Sequence, residues 1–388
     1  VTETHGRRTT RAHDAPRVVT VGETMALLHS EGIGSLAHAR GMTVGIGGAE
    51  SNLAIGLRRL GVPVAWVSRV GADELGTRVL RELRAEQVDV RARIDPERPT
   101  GLMLKSHPSG GATTVRYYRS GSAASALSAQ ELAEDVPDDL LADAEILHLT
   151  GITPLLSPQA RDAAVALLER ARAAGTLISF DVNLRSALAP REVAAPLLGR
   201  IAAAADIVFG GTEELELVAE ALGSAGKGAG EDSLLRVLHA HGIPEVVEKR
   251  GADGARALAG AGARVGARAE AGAGARVGAR AEAGAGAGAG VGAGESAEGT
   301  ASASARTDPE TAEAPGIRVD VVDTVGAGDA FVAGYLSARL EGLDLAGRLA
   351  RGNECGALMC TSPGDWEGAV HREDLGRLAA GAADPVAR

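Results

Sequence analysis

The stretch Val319-Asp-Val-Val-Asp-Thr-Val-Gly-Ala-Gly-Asp-Ala-Phe-Val-Ala-Gly-Tyr-Leu336 constrains the fold of this chain more than any other. Val319, Val321 and Val322 form a short β-branched run, and Gly326 and Gly328 permit a tight turn with close backbone approach. Phe331, Tyr335 and Leu336 then begin an apolar face at helical spacing. These residues predict a strand, a turn and a helix that starts at about Ala327. N–H groups at a helix start lack intrahelical acceptors and suit a phosphate or an oxyanion. Asp329 falls in that first turn, where the helix dipole favours the ionised carboxylate that a general base requires. One local unit thus predicts a base beside an anion hole. Taken alone, it is equally an ordinary acidic first turn after a glycine bend.

The same rhythm recurs along the chain. Arg17 to Glu23 reads as a buried strand, with Met25 to His29 as its continuation or a second strand. Gly45-Ile-Gly-Gly-Ala-Glu-Ser-Asn52 opens a helix whose Leu53, Ala54, Leu57 and Leu60 share a side. Val64 to Val70 is a strand, and Asp73 caps the helix that follows. Further strands are expected at Ile146 to Ile152, Thr176 to Asn183, Asp206 to Phe209 and from Pro244. Between them, Ser128-Ala-Gln-Glu131 forms a capping box and Ser157-Pro158 starts a long Ala-rich helix. Alternating strands and helices imply a mostly parallel sheet, with Asp181, Asn183 and Arg185 at the carboxyl edge where ligands bind.

Two stretches break the rhythm. Gly101 to Lys105 and Thr113 to Arg119 flank Pro108-Ser-Gly-Gly111 and predict an antiparallel hairpin. Strand alternation puts Val115, Tyr117 and Arg119 on one face, which is either a solvated sheet surface or the underside of a lid over a ligand. From about 259 to 315 no core pattern exists: Ala263 to Gly274 is repeated as Ala275 to Gly286, amid nearly pure Gly and Ala. Such side chains cannot offset the entropy of ordering, so a disordered loop is expected. Residues 1–16 are expected to be a disordered leader.

Composition excludes several classes of function. A net charge of −11 and an aromatic content of 2% leave neither a basic surface nor stacking platforms for nucleic acid. No uninterrupted apolar run approaches the length of a membrane span, so a soluble protein is expected. Cys355 and Cys360 are too close for a disulfide framework and lack metal-ligand companions, which suggests reduced thiols in a cytoplasm.

The run Asp323-Thr-Val-Gly-Ala-Gly-Asp-Ala-Phe331 resembles the C-terminal signature of the ribokinase-like (PfkB) carbohydrate kinases. The likeness extends over roughly 16 to 260 and 316 to the C-terminus. Within that family it is most similar to kinases of 2-keto-3-deoxygluconate, through Gly47 to Asn52, Tyr117-Tyr-Arg119, His148 to Thr153, Ser179 to Arg185 and Gly364-Asp-Trp-Glu-Gly368. The resemblance implies a ribokinase-like three-layer α/β fold with a small β-sheet lid at about 29–46 and 100–121. It implies Asp329 as catalytic base, with the amides of Gly326, Ala327 and Gly328 binding the transferring phosphate. Gly48, Asn52, Tyr117, Arg119 and Arg185 would contact the sugar, and two arginines suit a carboxylate. Lys249, Gly251, Gly254 and Asn353 would lie near ATP, although Lys249 and Gly254 are equally fold-stabilising turn residues. Glu214 would hold Mg2+ through water, and the family admits a monovalent cation such as K+ and association of copies through the lid.

The expected activity is transfer of the ATP γ-phosphoryl group to the 6-hydroxyl of 2-keto-3-deoxygluconate. A fructokinase, a ribokinase or a non-catalytic sugar-acid sensor on the same fold stands as the alternative. Two positions depart from the family pattern: Gly211, where Asn or Ser is common, and Met103, a lid position that is sometimes Tyr. The Gly/Ala-rich insert has no family counterpart.

Overall fold

The computed structural model describes residues 15–107, 113–224, 231–260 and 308–378. The first half of the chain runs β1 (Val18–Val21), β2 (Met25–Ile33), β3 (Met42–Gly47), α1 (Ala49–Arg59), β4 (Val64–Gly71), α2 (Glu74–Ala85), β5 (Asp89–Asp95), β6 (Leu102–His107) and β7 (Thr114–Tyr118). It continues with α3 (Ala129–Asp135), α4 (Asp138–Asp143), β8 (Ile146–Thr150), α5 (Pro158–Ala174), β9 (Leu177–Asp181), α6 (Arg191–Ala203), β10 (Ile207–Gly211) and α7 (Thr212–Ala221). Last come α8 (Glu231–Ala240), β11 (Glu245–Lys249), β12 (Ala255–Ala259), β13 (Glu310–Ala314), α9 (Ala327–Leu340) and α10 (Leu345–Met359).

Nine strands form one sheet in the order β13-β12-β11-β10-β9-β8-β1-β4-β5. All pairs are parallel except β11–β12 and β12–β13. The sheet is covered on both faces, as a parallel sheet requires. Strand alternation sends Val18 to a core shared with α1, α2, α9 and α10, and sends Val19 and Val21 to a core shared with α3 to α8. Helix starts follow the sequence signals: Asp73 accepts from Gly76 N–H, Ser128 and Glu131 form a reciprocal box, and Ser157 accepts from Ala160 N–H.

A second sheet, ordered β3-β2-β6-β7, stands apart from the first. Its inner face carries Met25, Leu27 and Met103, with Val115 and Tyr117 packed against them. Val115 and Tyr117 are half-buried and Arg119 is buried, whereas Thr114, Arg116 and Tyr118 are exposed. The predicted hairpin face therefore points inward.

Two expectations need correction. The run from Val319 to Val322 is not a strand: among the described residues no strand pairs with it, Val322 N–H bonds to the Cys360 carbonyl at the end of α10, and Val321 is 62% exposed. The unpatterned stretch also ends earlier than its composition suggests. Glu310–Ala314 is the outermost strand, paired antiparallel with Ala255–Ala259. It carries no strand-favouring signal, since Ala312 and Ala314 supply the only inward side chains and the pairing is made by main chain. The Gly/Ala repeat and most of the 1–16 segment lie outside the described residues. Among the described residues no helix is long and apolar enough to cross a membrane.

Candidate active site

The carboxyl ends of β1, β8, β9, β10 and β11 converge beneath the small sheet, and a cavity of about 380 Å3 lies between them. Ten of the sequence-predicted residues reach it: Gly48, Asn52, Tyr117, Arg119, Arg185, Glu214, Lys249, Gly326, Gly328 and Asp329. A second cavity, of about 560 Å3, adjoins it and is lined by Gly251, Gly254, Ala327 and Asn353. Lys249, Thr324 and Gly328 border both.

Helix α9 begins at Ala327 as its sequence predicts, with Gly326 in the left-handed region at φ 78°. A side chain on Gly326 would lie 2.0 Å from the Asp365 carbonyl oxygen, so packing alone requires glycine there. At Gly328 a Cβ would meet only Lys249 Nζ at 3.6 Å, which leaves the space above that turn to the cavity. The first regular helix bond runs from Ala330 N–H to Gly326 O at 2.9 Å, while Ala327 N–H makes only a long 3.4 Å contact with Thr324 O. The N–H groups of Gly328 and Asp329 have no backbone acceptor among the described residues.

Asp329 is buried, and Asn52 Nδ2 donates to its Oδ2 at 2.8 Å. Asn52 Oδ1 in turn accepts from Gly48 N–H at 3.4 Å. Burial pushes the Asp329 carboxyl up to about 7, against the Asn52 hydrogen bond and the charges of Arg185 and Lys249, with Asp181 adding to the rise. The expectation of a plainly ionised carboxylate here is thereby corrected: desolvation is the largest influence on it. A base poised near neutrality is the outcome.

Lys249 Nζ donates to both oxygens of Asp181 at 2.8 Å. Burial opposes its charge, but Asp181, Glu214 and Asp329 together outweigh that and raise its pKa. Glu214 accepts from Leu184 N–H at 2.7 Å and from Gly211 N–H at 2.8 Å, which fixes its orientation at the start of α7. Gly211 has φ −73° and a Cβ there would have no neighbour nearer than 3.7 Å, so the fold does not demand its departure from Asn or Ser.

The two arginines differ. Arg119 lines the cavity, but its Nε and Nη2 lie 2.6 and 2.5 Å from Glu23 Oε2, and its guanidinium sits 5.6 Å from the Tyr117 ring centroid. Arg185 is exposed to the cavity and has no carboxylate within ion-pairing distance among the described residues. In the second cavity Gly251 and Gly254 have φ of 57° and 92°, and a Cβ on Gly254 would lie 2.2 Å from Ala314 O. Asn353 Nδ2 donates to the carbonyls of Ala314 and Pro315 at 2.9 and 3.0 Å, joining α10 to the exit of β13.

Sequence reasoning assigned no role to Glu23, which anchors Arg119 and accepts from Ser122 Oγ at 2.5 Å. It also gave no role to Lys105, or to Asp323 and Asp365 although both fall in the quoted motifs; the three form a buried ionic cluster beside Gly326. The one signal for them is a lysine on the apolar face of a strand.

Comparison with known proteins places the chain in a family and a fold. The sequence pattern of the pfkB family carbohydrate kinases matches residues 15–271 and 296–371, breaking across the Gly/Ala-rich stretch. The chain is 36% identical over 361 residues to 2-dehydro-3-deoxygluconokinase of Bacillus subtilis (strain 168), covering 92% of this chain and 93% of that protein. It is 30% identical over 349 residues to 2-dehydro-3-deoxygalactonokinase of Haloferax volcanii, covering 90% and 92%. Among solved structures, a PfkB protein from Polaromonas sp. JS666 superposes with a TM-score of 0.70 at 30% identity over 93% of this chain and 99% of that one. A fructokinase with bound ATP from Xylella fastidiosa shares the fold at 20% identity, with a TM-score of 0.71 over 95% and 99%. A helix mouth with unbonded N–H groups, a buried carboxylate and two adjoining cavities thus sit on a shared scaffold, and the chain belongs to the pfkB family of carbohydrate kinases.

Proposed function

We propose that this kinase transfers the γ-phosphoryl group of ATP to the 6-hydroxyl of 2-keto-3-deoxygluconate. The observation that carries the substrate assignment is Arg185. The cations around the cavity are otherwise matched, Arg119 by Glu23 and Lys249 by Asp181, which leaves Arg185 as the charge a substrate would satisfy. A planar guanidinium can hold a carboxylate through two parallel hydrogen bonds, and a neutral sugar offers no such partner. Tyr117, beside it in the cavity wall, supplies a hydroxyl, and Arg119 is a second, pre-anchored wall residue. Two relatives named for 2-dehydro-3-deoxy sugar acids support the same reading.

In this mechanism the sugar hydroxyl lies within reach of Asp329, which Asn52 orients. As the hydroxyl oxygen attacks the γ-phosphorus, its proton passes to the Asp329 carboxylate and ADP leaves with the former bridging oxygen. The N–H groups at the start of α9 donate to the transferring phosphoryl oxygens, and Lys249, held by Asp181 at the border of the two cavities, adds a positive charge. Gly251, Gly254 and Asn353 shape the nucleotide cavity. The residues present fit a hydrated magnesium ion: Glu214 keeps lone pairs beyond its two backbone bonds, and a single carboxylate suits an ion that retains its waters. Bound there, magnesium would screen the charge of the ATP phosphates. The small sheet above the sugar excludes water.

A coupled ADP-release assay over 2-keto-3-deoxygluconate, its galacto epimer, fructose and ribose tests the assignment. The sugar acids should exceed the neutral sugars in kcat/KM by at least about tenfold. A preference for fructose would overturn it.

A further inference from the structure

Met103 and Lys105 are two residues apart on β6 and so share the inward face of the lid. Met103 belongs to the apolar cluster of that face, but Lys105, at 2% exposure, does not. A lysine is almost never buried this completely unless it is paired. Its Nζ lies 3.0 Å from Asp365 Oδ1 and in direct contact with Asp323 Oδ2. Burial works against the ammonium, but Asp365 and Asp323 outweigh it and keep the group charged.

The two carboxylates belong to different loops, and both loops bear on the anion hole. Asp323 Oδ1 accepts from Val325 N–H at 3.2 Å, one residue before Gly326. The Asp365 carbonyl oxygen lies 2.0 Å from where a Gly326 side chain would begin, so that loop is packed directly on the glycine. Asp323 and Asp365 are 6% and 5% exposed. Two buried carboxylates so close together need either a cation or a proton; burial pushes Asp365 toward the proton while the Lys105 ammonium opposes that, and the contacts of Nζ with both groups supply the cation.

We propose that Lys105 is a built-in monovalent cation: reaching across from the lid, its ammonium joins Asp323 to Asp365 and so holds Val325 and Gly326 in the backbone geometry of the phosphoryl site. Lys105 is a positioning residue, acting through the two loops and touching neither substrate. The place that K+ would take between these carboxylates is filled by Nζ, so the monovalent-cation dependence implied by family resemblance does not fit this pair. Because Lys105 is on a lid strand and its partners are on core loops, the same contact ties lid position to the anion hole.

The first test uses the unmodified protein with Mg-ATP in tetramethylammonium chloride or in KCl at equal ionic strength. Turnover should agree within about twofold, and a rise of about fivefold or more with K+ overturns the proposal. The second uses Lys105→Met, which keeps the apolar stem and leaves both carboxylates uncompensated. Its melting temperature in tetramethylammonium chloride should fall by about 5 °C or more and recover partly in ammonium or potassium chloride. Its kcat, more than its KM, should fall about tenfold or more and recover with the same two ions. A folded variant that matches the parent, or whose loss neither ion recovers, overturns the proposal. If Lys105→Met does not fold, Lys105→Met/Asp365→Asn restores the original charge sum and should fold. A double variant no more stable than the single one likewise overturns the assignment. The melting arm needs no sugar, so it stands apart from the choice of sugar acid.

Discussion

The two adjoining cavities are built by different physical means, one lined by paired charged side chains and the other shaped largely by glycine turns. Around the first cavity, proposed for the sugar, the polar groups are side chains, most of them already engaged: Arg119 with Glu23, Asp329 with Asn52, Lys249 with Asp181. Around the second cavity, proposed for the nucleotide, much of the shape comes from main chain: the positive-φ glycines Gly251 and Gly254 and the strand exit held by Asn353, with Val319 and Val321 beside them. The first arrangement selects by charge and orientation. In the proposed mechanism the second would accept a flat apolar base and leave phosphate binding to N–H groups. Substitutions should therefore fail differently on the two sides, through lost charge partners on one and through backbone strain on the other.

The largest effect is expected at the border between them. Asp329→Asn should lower turnover by about 10²–10⁴ while sugar binding persists, as measured by steady-state kinetics and equilibrium binding. In the parent, kcat/KM should rise with pH through about 7, because the protonated carboxyl cannot accept a proton, and the variant should lose that rise. The stability consequence has a definite sign. The folded-state value lies above the ordinary 3.8, so Asp329 contributes fully below about 4 and the contribution is lost as pH rises through about 7. Asp329→Asn should accordingly melt above the parent at pH 8, with the gain shrinking as the solution is acidified.

Next in size is Arg119→Met. Removing this arginine leaves Glu23 buried without its ion-pair partner, and such losses cost about 3–5 kcal/mol. Adding Glu23→Gln should return much of the melting temperature. Arg185→Met has no carboxylate to strand among the described residues, so it should leave stability intact. It should reduce kcat/KM for the sugar acid about ten- to a hundredfold and barely touch a neutral sugar. Equal losses for both sugars would remove Arg185 from carboxylate recognition.

On the nucleotide side, Gly254→Ala forces a side chain at φ 92° toward the Ala314 carbonyl oxygen 2.2 Å away. Strain of this kind costs about 1–3 kcal/mol, and the KM for ATP should rise with no change for the sugar. Gly211→Asn, with ordinary φ and open space, is the matched control and should be near neutral. Smallest of all should be removal of residues 261–307 with β12 and β13 rejoined by a short turn, since loop closure changes by only about 2 kcal/mol over a tenfold change in length. A large fall in melting temperature would show that the repeat packs on the domain. Taking the deletion as far as 311 would instead cut into Glu310–Ala314 and should be clearly harmful.

What the sequence by itself determined was everything governed by local periodicity and local chemistry. Asp73, Ser128 and Ser157 announced their helices because a cap needs only three neighbouring residues. The alternation put Val115, Tyr117 and Arg119 on one face, though not which way that face points, and Gly326 with Asp329 announced a helix mouth with a carboxylate in it. Only the tertiary structure decided matters that depend on residues distant in the chain. Asp329 titrates near 7 because the assembled core desolvates it, which no local dipole argument contains. Val319 to Val322 join no sheet among the described residues, Val322 N–H bonding instead to the Cys360 carbonyl, while Glu310–Ala314 becomes a strand because β12 offers an open edge. Arg119 and Arg185 read alike in the sequence, and they part only when Glu23, 96 residues from one of them, closes on its guanidinium. Burial and pairing are properties of the folded neighbourhood, and they set charge state and availability.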